Sequence, residues 1–154
     1  MTLRAGTRSL GRMSPLTLVV GSRNYSAWSL RAWMLLRHLA LAFDEQRIAL
    51  DTPEFEAEIA KFSPTRRVPV LVHGDLIVWD SIAICEYASE LAGGRGWPAD
   101  AGHRAVTRAL SAEMHAGFGA LRDACPMNAR ATGRRVPMTP ALAQDLRRID
   151  AIWS

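Results

Sequence analysis

The chain has 154 residues, enough to bury a core as one domain or two small ones. With 49% apolar and 22% charged residues it has the make-up of an ordinary soluble globular protein, and its apolar runs fall far short of the ~20 residues that span a bilayer, so no membrane role is expected. The net charge of +4 owes most to Arg4, Arg8 and Arg12; from Met13 onward 16 Lys and Arg face 15 Asp and Glu, a balance that does not require nucleic acid.

Residues 1–14 contain Arg, Ser and Gly, no acid and no hydrophobic period. They read as a disordered tail or an overlong start with Met13 as the true first residue; a transit peptide fits the same composition, and there is no apolar stretch for secretion. Leu16 to Val20 is a short strand, and Gly21 to Ser26 a polar turn. Leu30, Trp33, Leu36 and Leu39 then mark one face of a helix reaching about Ala40. Phe43 to Leu50 reads as a second strand. Thr52-Pro53 has the hydroxyl and proline of a helix start, and Phe55, Ile59 and Phe62 give that helix one packed face before Ser63-Pro64 ends it. Val68 to Val72 and Leu76 to Trp79, joined by His73-Gly74-Asp75, form a hairpin. Asp80 or Ser81 caps a helix with Ile84, Tyr87, Ala88 and Leu91 on one face, stopped by Gly93-Gly94.

This βαβαββα order occupies residues 15–92. Residues 93–102, rich in Gly and broken by Pro98, are the natural linker. No strand pattern follows. One long helix is expected from His103 to Ala124, ended by Pro126, and Thr139-Pro140 opens another with Leu142, Leu146, Ile149 and Trp153 as its stripe. That stripe is still running at Ser154, so the partial all-α part at 103–154 reads as C-terminally truncated. Cys85 and Cys125 form no Cys-x-x-Cys and read as reduced, buried thiols of a cytoplasmic protein. His38, His73 and His103 are isolated and lack metal-ligand spacing, so no metal is expected.

The stretch that carries chemistry is Ser63-Pro64-Thr65-Arg66-Arg67-Val68-Pro69, followed by Asp80-Ser81. Val68-Pro69 at a strand entrance is a candidate for the cis isomer, which is cheap only before proline. It would turn the Val68 backbone outward toward an extended peptide. Asp80-Ser81 would offer helix N-terminal amides and a hydroxyl to a carboxylate. Together they suggest a small peptide ligand.

The element order, Val68-Pro69, Asp80-Ser81, and the later run Ser111-Ala112-Glu113-Met114-His115-Ala116-Gly117-Phe118 with Pro126-Met127-Asn128 resemble the cytosolic glutathione transferases, in particular a bacterial subgroup. The resemblance covers about Leu16 to Ser154. It implies a thioredoxin-like α/β domain, an all-α domain, and assembly as a homodimer. It further implies glutathione as co-substrate, with the Val68 backbone beside Pro69 pairing with the cysteinyl part, Asp80 and Ser81 holding the γ-glutamyl end, and Arg66 or Arg67 meeting a carboxylate. Asn24-Tyr25-Ser26-Ala27-Trp28-Ser29-Leu30-Arg31 is similar to the zeta-class Ser-Ser-Cys-Ser-Trp-Arg pattern. Aligning the arginines puts Ser26 on the catalytic serine and Trp28 on the cysteine, with Tyr25 as the runner-up and Ser29 expected to be a helix cap. Met114, His115 and Phe118 fall where a hydrophobic electrophile would bind.

The chemistry needs modest help. A free thiol has a pKa of about 8.5, and a shift of roughly two units is about 2.7 kcal/mol of selective thiolate stabilisation. One hydrogen bond to a charged acceptor supplies about 1.5–3 kcal/mol and a helix N-terminus about 0.3–1 kcal/mol. A serine hydroxyl at a helix start suffices without a metal. The resemblance therefore implies a glutathione transferase acting on an electrophilic small molecule. The alternatives are a non-catalytic binding or dimerisation module, an inactive fragment, or a glutathione-dependent isomerase of the zeta type. Each residue also has a plain reading: Ser26 as a turn hydroxyl, Asp80-Ser81 as a cap, Val68-Pro69 as structure, Arg31 as an ion-pair or surface residue, His115 as packing. A thioredoxin-type oxidoreductase would need a dithiol that the sequence lacks.

Overall fold

A computed structural model describes residues 15–154; the expectations for residues 1–14 lie outside the described residues. Four strands, β1 (Leu16–Val20), β2 (Phe43–Arg47), β3 (Val70–His73) and β4 (Leu76–Trp79), form one sheet in the order β2-β1-β3-β4. β1 runs parallel to β2 with Leu16 opposite Phe43, which requires a crossover, and helix α1 (Ala27–His38) supplies it. β1 and β4 flank β3 antiparallel, and the β3–β4 turn uses Gly74 at φ +60°. A short α2 (Phe55–Ile59) precedes β3, and α3 (Ser81–Leu91) follows β4. This is the expected thioredoxin-like arrangement.

Alternation along β1 explains its two cores. Leu16, Leu18 and Val20 face α1 and α3, where they meet Leu36, Leu39, Ile84 and Ala88. Val19 points the other way and packs with Ile48, Ile59 and Val70 under α2. Of the stripe read along α1, Leu36 and Leu39 enter the core and Trp33 packs at its margin, whereas Leu30 is only partly buried and Ala32 joins the core instead.

Several boundaries differ from the sequence reading: β2 ends at Arg47 rather than Leu50, the helix after the linker starts at Ala101 rather than His103, and three further boundaries shift as well. Thr52 does not cap α2: its hydroxyl donates to the Ala49 carbonyl at 3.3 Å, and the helix opens at Phe55 after Glu54. β3 starts at Val70 rather than Val68, because Val68-Pro69 forms a cis peptide bond just before the ladder. The expected long helix is broken into α4 (Ala101–Ala116) and α5 (Gly119–Ala124). Gly117 is extended and Phe118 left-handed at φ +64°. A Cβ on Gly117 would lie 2.9 Å from the Glu113 carbonyl oxygen, so only glycine fits there. The freed carbonyls at the end of α4 are taken by one side chain: Arg122 donates from Nε to Gly117 O at 3.0 Å and from Nη2 to Met114 O.

Asp100 caps α4, accepting the His103 N–H at 2.8 Å. Thr139 caps α6 (Pro140–Trp153) as expected, accepting the Leu142 N–H at 3.2 Å. Leu142 is fully buried, Leu146 is partly exposed, and Trp153 lies open. No helix of the described residues is long and apolar enough to cross a membrane. Neither cysteine is as buried as expected: Cys85 is half-buried, and Cys125 is exposed, since it closes α5 at the surface. His73 is not a free surface residue: its Nδ1 lies 2.8 Å from the Tyr87 hydroxyl.

Candidate functional site

The cis Val68-Pro69 bond, the end of β4 and the first turn of α3 meet in one cleft of about 390 Å³. Val68, Pro69, Asp80 and Ser81 all line it, as does Arg67. Arg66 does not: at φ +55° its guanidinium turns away to Glu56 at 3.2 Å. Of the two arginines offered by the sequence, the structure brings Arg67 to the cleft.

Asp80 has both carboxylate oxygens engaged. Oδ1 accepts the Ile82 N–H at 2.9 Å as the cap of α3, and Oδ2 lies 3.2 Å from His115 Nε2. Its backbone sits at φ +75°, ψ +133°, a conformation that costs of order 1–3 kcal/mol and tends to persist at functional sites. Ser81 Oγ is buried and has no hydrogen-bond partner, and the same is true of His115 Nδ1. Buried polar atoms are rarely left so, and two neighbouring ones mark a place where a ligand's donors and acceptors would be satisfied.

Ser26 is placed differently. It is 7% exposed, caps α1, and does not line the cleft. Its Oγ accepts the Ser29 N–H at 3.2 Å and donates to Ser29 Oγ at 2.9 Å, while Ser29 Oγ accepts the Gly21 N–H at 3.1 Å. Ser29 is thus not the expected helix cap: Ser26 caps α1, and the buried Ser29 anchors the end of β1. Tyr25 is largely exposed and lies on another surface.

Trp28 comes to the cleft instead, a residue read in the sequence only as the one standing where a cysteine is found in the zeta pattern. Arg31 and Arg122 stack on its ring, with Cζ 4.4 and 4.7 Å from the centroid, and His115 meets it edge-on at 5.2 Å. Arg31 is therefore half-buried against Trp28 and, among the described residues, not ion-paired. Burial and the charge of Arg122 lower its pKa from the ordinary arginine value. Thr65 and Trp79 also line the cleft; their adjacency to Arg66-Arg67 and to Asp80 was the only sequence signal for them.

A second, mostly apolar cleft of about 450 Å³ opens beside the first and shares Ser81 and His115 with it. Met114, Leu110, Trp97 and Ile152 line it, together with Arg31 and Cys85. Burial pushes the Cys85 thiol up to about 11, only partly offset by Arg31, so it is not a nucleophile at neutral pH. Of the three residues expected in a second pocket, Met114 and His115 are there. Phe118 is a correction: it is buried at the helix break and lines neither cleft, because its left-handed backbone is what turns the chain from α4 into α5.

The chain's residues 25–91 match the family model described as glutathione S-transferase, N-terminal domain. A dichloromethane dehalogenase from Methylorubrum extorquens is 34% identical over 67 residues, covering 42% of this chain and 23% of the relative. A glutathione transferase homolog from Burkholderia GL BGR1, solved with bound glutathione, is 32% identical with a TM-score of 0.61, over 71% of this chain and 59% of that one. An unclassified glutathione S-transferase from Bombyx mori, at 21% identity and a TM-score of 0.68, covers 90% of this chain and 65% of its own length; it shows the shared fold. The chain thus spans 23% of the curated relative and less than two thirds of these solved structures. Residues 25–91 are therefore similar to the N-terminal domain of glutathione S-transferases, and the thioredoxin-like sheet followed by helices is the fold shared with these structures.

Proposed function

We propose that this chain binds glutathione in the Val68–Asp80–Ser81 cleft and activates its thiol as a thiolate for transfer to an electrophilic small molecule. The observation that carries the reading is the meeting of the Val68 backbone with Asp80 and the unpartnered Ser81 hydroxyl in one concavity. A γ-glutamyl end carries both an ammonium and a carboxylate; Asp80 suits the first, and Ser81 at the α3 N-terminus suits the second. The Burkholderia homolog holds glutathione, which favours the same ligand here. The adjoining apolar cleft with Met114 and His115 is the proposed place of a hydrophobic electrophile. A cytoplasmic homodimer belongs to the same reading.

Ser26 is the proposed thiol partner: it does not itself line the cleft, but it caps α1 two residues before Trp28, which does, and a bound sulfur would have to reach its hydroxyl past that turn. Its hydroxyl hydrogen rotates freely about the C–O bond, so it can leave Ser29 Oγ for a sulfur while Oγ still accepts the Ser29 N–H. No step requires Ser26 to attack; it donates to the thiolate, and the thiolate attacks the electrophile.

A second reading is a glutathione-binding module without catalysis. It is favoured by one fact: the Ser26 proton is already given to Ser29. Titrating the bound thiol by its thiolate absorbance decides between them. Transfer chemistry requires a thiol pKa well below about 8.5 in the complex, and Ser26→Ala must return it toward that value. A bound thiol that titrates as in free glutathione rejects the enzymatic reading and leaves the binding module. Failure of glutathione to bind at all rejects both.

A further inference from the structure

The β1–α1 turn carries a third concavity, of about 540 Å³, that shares no lining residue with the two clefts above. One wall is Arg23 and Tyr25 of the turn with Arg47 at the end of β2. The other is Asn128, Arg130 and Arg134 of the segment that joins α5 to α6. Four guanidiniums and no carboxylate line it. Glu45 engages Arg23 through Nε at 3.1 Å and through Nη2, and Arg47 at 3.4 Å. Each guanidinium has five N–H donors, so both keep donors to spare. Arg130 and Arg134 form no ion pair among the described residues.

Scattered surface arginines would need no explanation. These are gathered by a built joint. The Asn24 side chain donates from Nδ2 to Asn128 Oδ1 at 2.9 Å and accepts the Arg130 N–H on Oδ1 at 3.0 Å, while the Asn24 carbonyl accepts the Ala129 N–H at 3.1 Å. The two walls are thereby held facing one another across 104 positions of sequence. Convergent guanidiniums repel unless an anion is shared between them, and their planar forks match oxyanions two bonds at a time.

We propose that this cleft binds a small organic anion bearing two or more oxyanion groups, carboxylate or phosphate. Its short span between two facing walls suits a compact ligand better than a polymer, and Tyr25 adds a ring face and a hydroxyl. The site stands whether or not the chain binds glutathione.

Calorimetric titration with citrate and with pyrophosphate tests it, using the full chain in low salt and without glutathione. Saturable one-to-one binding of either probe is expected, and which one binds more tightly distinguishes carboxylate from phosphate ligands. Arg130→Gln with Arg134→Gln should weaken it by at least about tenfold, as should Arg47→Gln on the opposite wall, whereas Arg135→Gln, outside the lining, should leave it unchanged. Thermal melts of the variants confirm that each remains folded, and two walls probed separately keep the test sound if one variant does not. No saturable binding of either probe, or equal binding by wild type and both wall variants, overturns the proposal. So does tight binding of a single-stranded oligonucleotide with neither small anion bound, which would make the surface a nucleic-acid contact.

Discussion

His115 Nε2 lies 3.2 Å from Asp80 Oδ2, so a helix that follows the linker reaches back to the residue that caps α3. The pair is partly exposed, and such pairs contribute about 0–1 kcal/mol. Its importance is therefore orientation: it holds the carboxylate that the proposed γ-glutamyl ammonium would meet. His115→Leu is expected to lower stability by less than about 1 kcal/mol in urea denaturation. Calorimetry should show glutathione binding weakened several-fold in the same variant. A large loss of stability with unchanged binding would make His115 a packing residue.

Ser81→Ala gives the opposite signs for stability and binding. The hydroxyl is buried without a partner, and an unsatisfied buried polar group costs about 1–3 kcal/mol. Its removal should leave the ligand-free protein as stable as wild type or more so. Binding of glutathione should fall about tenfold, the size of one lost hydrogen bond to a charged group. A drop in ligand-free melting temperature would reveal a partner for Ser81 and undo the argument.

The two thiols should react very differently. Cys125 is exposed, while burial raises Cys85 to about 11. A disulfide reagent at mildly alkaline pH is expected to label one thiol quickly, identified as Cys125 by peptide mapping, and the second only on unfolding. The raised value also sets a pH dependence. Between about 9 and 11 the unfolded chain loses the Cys85 proton while the folded chain keeps it, so the unfolded state binds fewer protons and stability falls as pH rises through that window. Cys85→Ala should flatten that part of a denaturation profile against pH.

Gly117→Ala should cost about 1–3 kcal/mol, the usual range for an overpacked site. The added methyl would meet the Glu113 backbone carbonyl at 2.9 Å, and a helix carbonyl has no rotamer through which to escape. Equilibrium urea unfolding measures it; a neutral result would mean the α4–α5 break shifts easily.

The sheet was legible because it follows from short-range pattern. Short apolar runs mark β1 and β4, the Gly74 turn marks the hairpin, and Thr139-Pro140 marks the start of α6. What escaped depends on partners distant in sequence or on choices between equals. The break after Ala116 rests on Arg122 reaching back to two carbonyls, and an arginine inside a helical run gives no warning of that. Ser26 and Ser29 are both able to cap; Ser26 does so because the Gly21 N–H needs Ser29. Val68-Pro69 and Asp80-Ser81 were found because each pair is adjacent in the chain. Trp28 joins them only through folding. The arginine-lined cleft was hidden because its charges are spread from residue 23 to residue 134 in a chain that is nearly neutral when counted.

Asn24 has one more consequence. Elsewhere the later helices are tied to the first unit in part by charge, as in Arg108 with Glu86. Such ties weaken as salt rises. The amide clasp of Asn24 on residues 128–130 carries no net charge and nothing that titrates. In concentrated salt, the turn before Ser26 and the segment after α5 should still move as one piece after the ionic ties have loosened.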